Sequence, residues 1–278
     1  MPYCGTINRA MARAAWSFGG MLSESGAERA ALVIGGASGI GWAIAKGLAG
    51  EGCRVTVADR NAEGATARAD ELGPPHAAAG VDVTDEDTVA ALFERTGPLD
   101  VVVNTAGFSN FGRIVDMPVD QFRSVVDVCL NGAFIVAKYA GRKTKDGGSL
   151  VSVTSLNARL AAPGMSAYCA AKAGLAMLTQ VAALEFAPRG IRVNAVSPGF
   201  VHTPLTDPVT QMPAVLDDYL ENTPLGRVGT PEDVADAVLF LCSDKASWLT
   251  GEVLDLNGGA HLKRYPDILA HIDRMASA

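Results

Sequence analysis

The regular alternation of short apolar runs with longer stretches of helical periodicity, which begins near Ala30, is the strongest constraint on this chain. The apolar runs are rich in Val and Ile and have no polar face, which is typical of strands covered on both sides. Strands that alternate with helices indicate βαβ units around a parallel sheet. We therefore predict an α/β fold, a single Rossmann-type, doubly wound sheet of seven parallel strands with helices on both faces.

The predicted elements follow one another without a change of composition. The strands are predicted at residues 31–34, 54–58, 77–81, 100–104, 149–153, 192–196 and 253–256, and the helices at 40–50, 62–72, 86–95, 119–142, 166–187 and 231–242. This predicts one domain over residues 29–260, preceded by a flexible extension, 1–28, and followed by a tail, 261–278. We expect the tail to pack on a neighbouring subunit.

Two segments do not follow the alternation. Residues 199–230 are rich in Pro, Thr and Asp, with a short helical piece near 214–220. A long loop inside a compact domain is usually a lid or a binding segment, so we predict a substrate lid here. The extension 1–28 has no compact apolar core of a secretory signal, and we expect a disordered or artificial extension, with a transit peptide as the weaker alternative.

Composition excludes several classes of protein. Hydrophobic residues make up 49% and charged residues 19%, which suits a large buried core. The net charge of −7 and the lack of a basic run argue against nucleic acid as a partner. The chain has no uninterrupted run of 18 apolar residues, so no membrane span is predicted. Five Cys without a CxxC pair, and four scattered His, favour a cytoplasmic protein without a metal site.

A glycine-rich stretch, 35–41, directly follows the first predicted strand and opens a helix. Glycines permit a tight turn and let the backbone approach a pyrophosphate, and the helix N-terminus supplies N–H donors. A purely structural turn could use the same glycines, but the strand–turn–helix context favours a dinucleotide. The predicted phosphate-binding residues are Gly35, Ser38, Gly39, Ile40 and Gly41.

Polar residues end the next strands. Asp59 ends the second strand, where a carboxylate can accept both hydroxyls of an adenosine ribose and repel a 2′-phosphate. Arg60 follows and would suit NADP, but no basic residue in the glycine loop assists it, so NAD is favoured. Asp82-Val83 ends the third strand, where Asp82 could accept from the adenine amino group. Asn104 ends the fourth and could equally be a local turn-former.

A phenol and an ammonium, Tyr168 and Lys172, stand four residues apart in a predicted helix of small residues. Positions i and i+4 share a helix face, so the two polar ends are expected to meet there. A free phenol is a poor base at neutral pH, but a neighbouring cation favours the phenolate. Ser155 ends the fifth strand thirteen residues earlier. A plain aromatic helix face with a snorkelling lysine is the alternative.

The glycine loop, Asn104-Thr105-Ala106-Gly107, Ser155, Tyr168-x-x-x-Lys172 and Pro198-Gly199 together resemble the short-chain dehydrogenase/reductase family. The resemblance extends from about Ala30 to Gly259. It implies that Tyr168 is the general acid/base, that Ser155 binds the substrate oxygen, and that Lys172 also binds the nicotinamide ribose. It further implies that the cofactor is contacted by Val83, Asn104, Ala106, Gly107, Tyr168, Pro198, Gly199, Val201 and Thr203.

The chain departs from the family pattern at two places. Ile34 stands before the first loop glycine, where the family usually has Thr, so a hydroxyl that steadies the loop is lost. Cys129 stands where the family has its fourth catalytic residue, an asparagine that helps to hold a helix bend and a water beside the lysine. Asn131 is out of register for this role. We expect the relay to survive in weakened form through the main-chain carbonyl of Cys129; a reactive-thiol role is the alternative.

The resemblance implies an NAD-dependent oxidoreductase that interconverts a secondary alcohol and a ketone. The candidate pocket wall is largely apolar and predicts a hydrophobic or cyclic substrate; it comprises Phe108, Phe111, Asn157, Leu160, Met165, Phe200, Val201 and Leu205. A 3-oxoacyl thioester reductase and a non-catalytic NAD-binding regulator are the alternatives. Family members pair their long helices, so a homo-tetramer or homo-dimer is expected, with Ala170, Ala173 and Leu184 at the contact.

Overall fold

A computed structural model describes residues 28–277 and contains one seven-stranded sheet in which every pair of neighbours is parallel. The strand order is β3-β2-β1-β4-β5-β6-β7. The strands are β1 (Ala30–Ile34), β2 (Arg54–Asp59), β3 (Ala77–Gly80), β4 (Leu99–Asn104), β5 (Thr144–Val153), β6 (Arg192–Pro198) and β7 (Val253–Leu256). The predicted fold is confirmed.

Helices cover both faces of the sheet. They are α1 (Gly39–Gly50), α2 (Ala62–Leu72), α3 (Glu86–Thr96), α4 (Val119–Val126), α5 (Gly132–Lys143), α6 (Ser166–Phe186), α7 (Asp207–Thr210), α8 (Pro213–Glu221), α9 (Pro231–Cys242) and α10 (Ile268–Ser277). Helices α1, α2 and α9 pack on one face and α3, α5 and α6 on the other, each around a buried apolar core. The strands are apolar on both sides because both sides are covered.

Local sequence signals start several of these helices. The Asn61 side chain accepts a hydrogen bond from the Gly64 amide at the start of α2. Asp85 accepts from two amides at the start of α3. At the start of α9, Thr230 and Asp233 form a reciprocal capping box. Such caps satisfy amides that the first helical turn leaves without partners.

The strand order places the site. The chain winds outward from β1 through β2 to β3, then returns to the other side of β1 with β4. A crevice opens at the carboxyl ends of β1 and β4, where the connections diverge, and open α/β sheets bind ligands there. The glycine loop after β1 and the Asn104–Gly107 segment after β4 both lie at this crevice.

The structure differs from the predicted elements at three places. Strand β5 begins at Thr144, earlier than predicted, and the pairing with β4 changes register after Leu99. The helix predicted over 119–142 contains a π-helical turn, Asp127–Asn131, between α4 and α5. Helices α7 and α10 were absent from the prediction. The predicted extension 1–28 lies outside the described residues except for its last residue, Glu28, which pairs with Arg54.

The tail packs on the lid of its own chain, and its expected contact with a neighbouring subunit stays a prediction. Ile268 of α10 is buried with Val215 and Tyr219 of the lid helix α8. Asp218 of α8 accepts hydrogen bonds from Arg264 at 2.6 Å and pairs with the ring of His271 at 3.0 Å. The tail is therefore held to the lid by a buried carboxylate and a small apolar cluster.

Two segments of this chain, Val119–Lys143 and Ser166–Arg189, are long and apolar enough to cross a membrane by length and composition alone. In the fold, part of each segment is buried. The α5 part of the first and the α6 part of the second supply residues to the core beneath the sheet. Packing on the sheet accounts for part of their apolar character, because 39% of the most apolar window of each segment is buried.

Candidate active site

The glycine loop is shaped by close contacts that only glycine permits. Gly35 has φ +80°, in the left-handed region, and a Cβ there would lie 2.4 Å from Thr105 Oγ1. A Cβ on Gly41 would lie 2.1 Å from the Gly35 carbonyl oxygen. The Thr105 hydroxyl donates to the carbonyls of Ile34 at 2.9 Å and Gly35 at 3.1 Å. These bonds steady a loop in which Ile34 replaces the family's threonine.

A cavity of about 560 Å³ lies over this loop. Of the residues predicted to bind the cofactor, it is lined by Gly35, Ser38, Gly39, Ile40, Gly41, Asp59, Asp82, Val83, Ala106, Gly107 and Thr203. The other predicted residues, Asn104, Tyr168, Lys172, Pro198, Gly199 and Val201, are not among its lining. Asn104 is buried and its side chain accepts from the Ala106 amide at 3.1 Å, which shapes the turn after β4.

The Asp59 carboxylate lies at one end of the cavity and supports the glycine loop. It accepts hydrogen bonds from the amides of Ala37 at 3.1 Å and Asn61 at 2.9 Å. Arg60 also lines the cavity. Arg68 does not serve as a free cation there, because it donates to the Ala37 carbonyl and pairs with a glutamate of its own helix. This end of the cavity therefore presents a carboxylate and one exposed arginine.

Asp82 lies at the cavity after β3. The hydroxyl and the amide of Thr84 both donate to Asp82 Oδ1, at 2.7 and 2.9 Å, and they lower the pKa of this carboxyl below its ordinary value. The group therefore stays ionised at neutral pH as an acceptor. A carboxylate acceptor at this position suits an amino group on a base.

Tyr168 and Lys172 meet on one face of α6. Lys172 Nζ lies 5.5 Å from the centre of the Tyr168 ring, and Lys172 is only 3% exposed. The ammonium donates to the Val153 carbonyl at 2.8 Å, which ties α6 to the end of β5. Gly107 packs against the same ammonium, because a Cβ there would lie 3.3 Å from Nζ. The loop after β4 and the helix therefore hold a buried cation beside a phenol.

Ser155 follows β5 and is 8% exposed. Its oxygen accepts from the Asn157 amide at 3.2 Å and lies 3.4 Å from Asn157 Oδ1. When an amide donates to a hydroxyl oxygen, the proton of that hydroxyl becomes a better hydrogen-bond donor. The short turn Leu156–Ala158 packs against α6, so Ser155 and Tyr168 share this part of the fold.

Cys129 is fully buried within the π-helical turn, and its thiol donates to the Phe108 carbonyl at 3.3 Å. Such turns often mark functional sites in helices. Its sulfur also lies beside Gly107, close to the Lys172 side chain. Asn131 is exposed and bonds to Asp127 instead, which agrees with leaving it out of the predicted relay. Cys129 therefore anchors the loop after β4 against the helix.

The residues of the predicted pocket wall lie in several different parts of the fold. Phe108 and Leu205 line the cofactor cavity, and Val201 is buried in a bridge to Gly229. Phe111 is 40% exposed at the loop surface. The rest of the predicted wall lies toward α6, the lid and the tail; it comprises Asn157, Leu160, Met165 and Phe200.

Three residues near the site escaped the sequence analysis: Thr105, Tyr219 and Tyr265. Thr105 belongs to a motif that was recognised, but its hydroxyl bonds to β1 were not foreseen. Tyr219 and Tyr265 are 46 positions apart, yet their hydroxyls lie 2.7 Å apart. Short-range spacing carries no signal for this pair. Between residues 28 and 277, no group of three or more His, Cys, Asp or Glu could hold a metal ion.

The comparisons with known proteins agree with this geometry. The model of the family described as enoyl-(acyl carrier protein) reductase matches residues 35–261. The cis-4-hydroxycyclohexanecarboxylate dehydrogenase of Sinomonas cyclohexanicum is 43% identical over 249 residues, which cover 86% of this chain and 98% of that protein. The chain belongs to the short-chain dehydrogenase/reductase family. The predicted resemblance is thus confirmed, and this short-chain dehydrogenase/reductase is an oxidoreductase acting on CH–OH groups.

Solved structures of other short-chain dehydrogenases/reductases share the fold. One from Mycobacterium ulcerans is 36% identical with a TM-score of 0.84, and the match covers 88% of this chain and 94% of that one. A 3-ketoacyl-(acyl-carrier-protein) reductase from Brucella melitensis, complexed with NADH, is 31% identical with a TM-score of 0.78. That match covers 84% of this chain and 98% of the reductase. The family uses NAD or NADP.

Proposed function

We propose that this protein oxidises a cyclic secondary alcohol to the ketone, or reduces the ketone, with NAD as cofactor and Tyr168 as general acid/base. The observation that carries the proposal is the buried Lys172 ammonium 5.5 Å from the Tyr168 ring, next to a cavity floored by a glycine loop. A buried cation favours the charged form of a neighbouring phenol. Few structural roles need that pairing beside a cavity lined by a glycine loop.

The residues have distinct roles in this reaction. Ser155 donates its hydroxyl proton to the alcohol oxygen and holds it toward Tyr168. The Tyr168 phenolate takes the proton of the substrate hydroxyl as the C–H bond of the carbinol carbon breaks. In the reverse direction Tyr168 returns that proton. Lys172 stabilises the phenolate and, by the family resemblance, contacts the nicotinamide ribose. Bound in the cavity, the dinucleotide supplies the hydride acceptor.

The cavity fits such a cofactor. Gly35 and Gly41 permit the tight loop because a Cβ at either position would clash with other loop atoms, and the start of α1 lines the cavity, where helix amides can bind a phosphate. Ser38 makes no capping bond with its side chain, so its hydroxyl is available to a phosphate. The Asp59 carboxylate favours ribose hydroxyls and repels a 2′-phosphate, which supports NAD over NADP. Arg60 is the feature that favours NADP.

A ring alcohol is the proposed substrate class. The walls near α6 and the lid are apolar and aromatic, including Met165, Phe200 and Tyr219. The relative from Sinomonas cyclohexanicum is named for a hydroxylated cyclohexane ring, which supports this class. A 3-oxoacyl thioester is the second candidate, supported by the similarity to the Brucella melitensis reductase. A non-catalytic NAD-binding regulator is the third, because Cys129 replaces a family catalytic residue.

The assembly and location are part of the same proposal. Helix α6 exposes Ala170, Ala173 and Leu184 along one side, a face suited to close packing with a second copy in a homo-dimer or homo-tetramer. The cytoplasm is the proposed compartment, because the four described cysteines are free and NAD is abundant there.

Absorbance at 340 nm tests the proposal. The protein is mixed at pH 9 with NAD⁺ or NADP⁺ and with cyclohexanols, linear secondary alcohols and 3-hydroxyacyl thioesters. We expect reduction of NAD⁺ with cyclohexanols, and loss of the signal in Tyr168→Phe. Preferred turnover of the thioester with NADP⁺ would favour the reductase. Cofactor binding without turnover of any compound would favour the regulator.

A further inference from the structure

We propose that the paired hydroxyls of Tyr219 and Tyr265 form the far end of the alcohol pocket and bind an acceptor oxygen carried by the substrate ring opposite its reacting carbon. The inference rests on the proposed function and narrows its substrate class to ring alcohols with a carboxylate, ester or hydroxyl across the ring. Tyr219 comes from the lid helix α8 and Tyr265 from the tail. The tail would therefore take part in choosing the substrate.

The hydrogen bonding of the pair leaves a proton for a ligand. The two oxygens lie 2.7 Å apart, so one hydroxyl donates to the other. Tyr265 Oη also lies 3.6 Å from Met165 Sδ. A thioether is a weak acceptor, so a hydroxyl that donates to it makes only a weak hydrogen bond within the protein. A substrate oxygen at this place would accept it in a stronger bond.

Contacts lead from the pair to the catalytic residues. Asn157, whose Oδ1 accepts from Ser155 Oγ at 3.4 Å, belongs to the short turn that packs against α6. Met165 directly precedes α6, three positions before Tyr168. Through Met165 the pair therefore lies beside the start of the helix that carries Tyr168 and Lys172.

The surroundings of the pair suit a carbon ring with one polar end. Phe200 stacks on Tyr219 with ring centres 4.4 Å apart, and Val215 and Ile268 pack behind it. Burial raises the pKa of Tyr219 to about 12 and raises the pKa of Tyr265 well above its ordinary value. Both hydroxyls therefore remain protonated donors at the pH where the enzyme would work. Neutral donors can bind a hydroxyl, an ester or a carboxylate.

Two variants and two matched substrates test the inference. For wild type, Tyr219→Phe and Tyr265→Phe, kcat/KM is measured with 4-hydroxycyclohexanecarboxylate and with 4-methylcyclohexanol, which differ in the oxygen across the ring. We expect the ratio of the two values to fall about tenfold in each variant, the size of one hydrogen bond to a charged group. The control is Tyr139→Phe, whose hydroxyl bonds to Glu86 on the surface, and its ratio should match wild type.

Binding of cyclohexanecarboxylate to the protein–NADH complex, followed by NADH fluorescence, separates the two proposals. If wild type binds cyclohexanecarboxylate more tightly than Tyr265→Phe does but oxidises no alcohol, the proposed function is wrong and the proposed pocket is supported. Turnover with an unchanged ratio in both variants would overturn the inference. An equal loss on both substrates would also overturn it, because the pair would then support only the fold.

Discussion

Replacing Lys172 with Met tests the central electrostatic claim. The ammonium lies 5.5 Å from the Tyr168 ring centre and is only 3% exposed. Taking the ring centre as the position of the phenolate charge, and an effective dielectric constant of about 20, the attraction is about 3 kcal/mol. That energy corresponds to about a hundredfold in rate. We therefore expect Lys172→Met to lower kcat about a hundredfold at pH 7.

The assay is initial-rate NAD⁺ reduction with a cyclohexanol at pH 7, with NADH binding measured separately to remove the effect on cofactor affinity. Lys138→Met is the matched control, because Lys138 Nζ lies 5.7 Å from the Tyr139 ring on the surface. A fall of less than threefold in Lys172→Met, or an equal fall in Lys138→Met, would refute the reasoning.

Four further predictions concern other parts of the molecule. Asp59→Ala should lower the ratio of the NADPH to the NADH dissociation constant about tenfold in fluorescence titrations, because the repulsion of a 2′-phosphate is lost. Asp70→Ala, at an exposed position, is the control. Gly41→Ala should abolish NADH binding, because its Cβ would lie 2.1 Å from a carbonyl oxygen of the loop. Cys129→Asn should leave turnover unchanged or raise it, and a large loss of turnover would contradict the expectation that the relay is only weakened. Burial raises the pKa of Asp218, but hydrogen bonds from two tail side chains outweigh it and hold that pKa below its ordinary value. The stabilisation is therefore present above about pH 4 and lost as pH falls through the lowered value. The protection factors of the tail amides, which are corrected for intrinsic exchange, should fall over that range and stay unchanged at pH 6.

The strands and the glycine loop could be predicted because their signals are local. Runs of Val and Ile between helical stretches fit few structures other than buried strands. Glycines after a strand permit a tight turn, and the close contacts at Gly35 and Gly41 show why a side chain would not fit there. Strand β5 was predicted too short because its first residues, Thr144 to Gly148, are polar and glycine-rich. They pair with β4 only through a change of register, which local pattern does not reveal.

The tail was the largest omission. Its apolar residues Ile268, Ile272 and Met275 have helical spacing, which could have indicated α10. Its place on the lid could not be read in the same way. That contact depends on Asp218, and on a tyrosine pair whose members are far apart in sequence. The π-helical turn packs against α6, and none of its residues from Asp127 to Asn131 marks it in the sequence.

Because the tail docks on the lid and supplies no strand to the sheet, the codons that specify it can change without altering the strands that carry the glycine loop. Under the proposal made above, a stop codon before Tyr265 would remove one substrate contact and leave that loop in place. Directed evolution toward new alcohols would do best to randomise those last codons first.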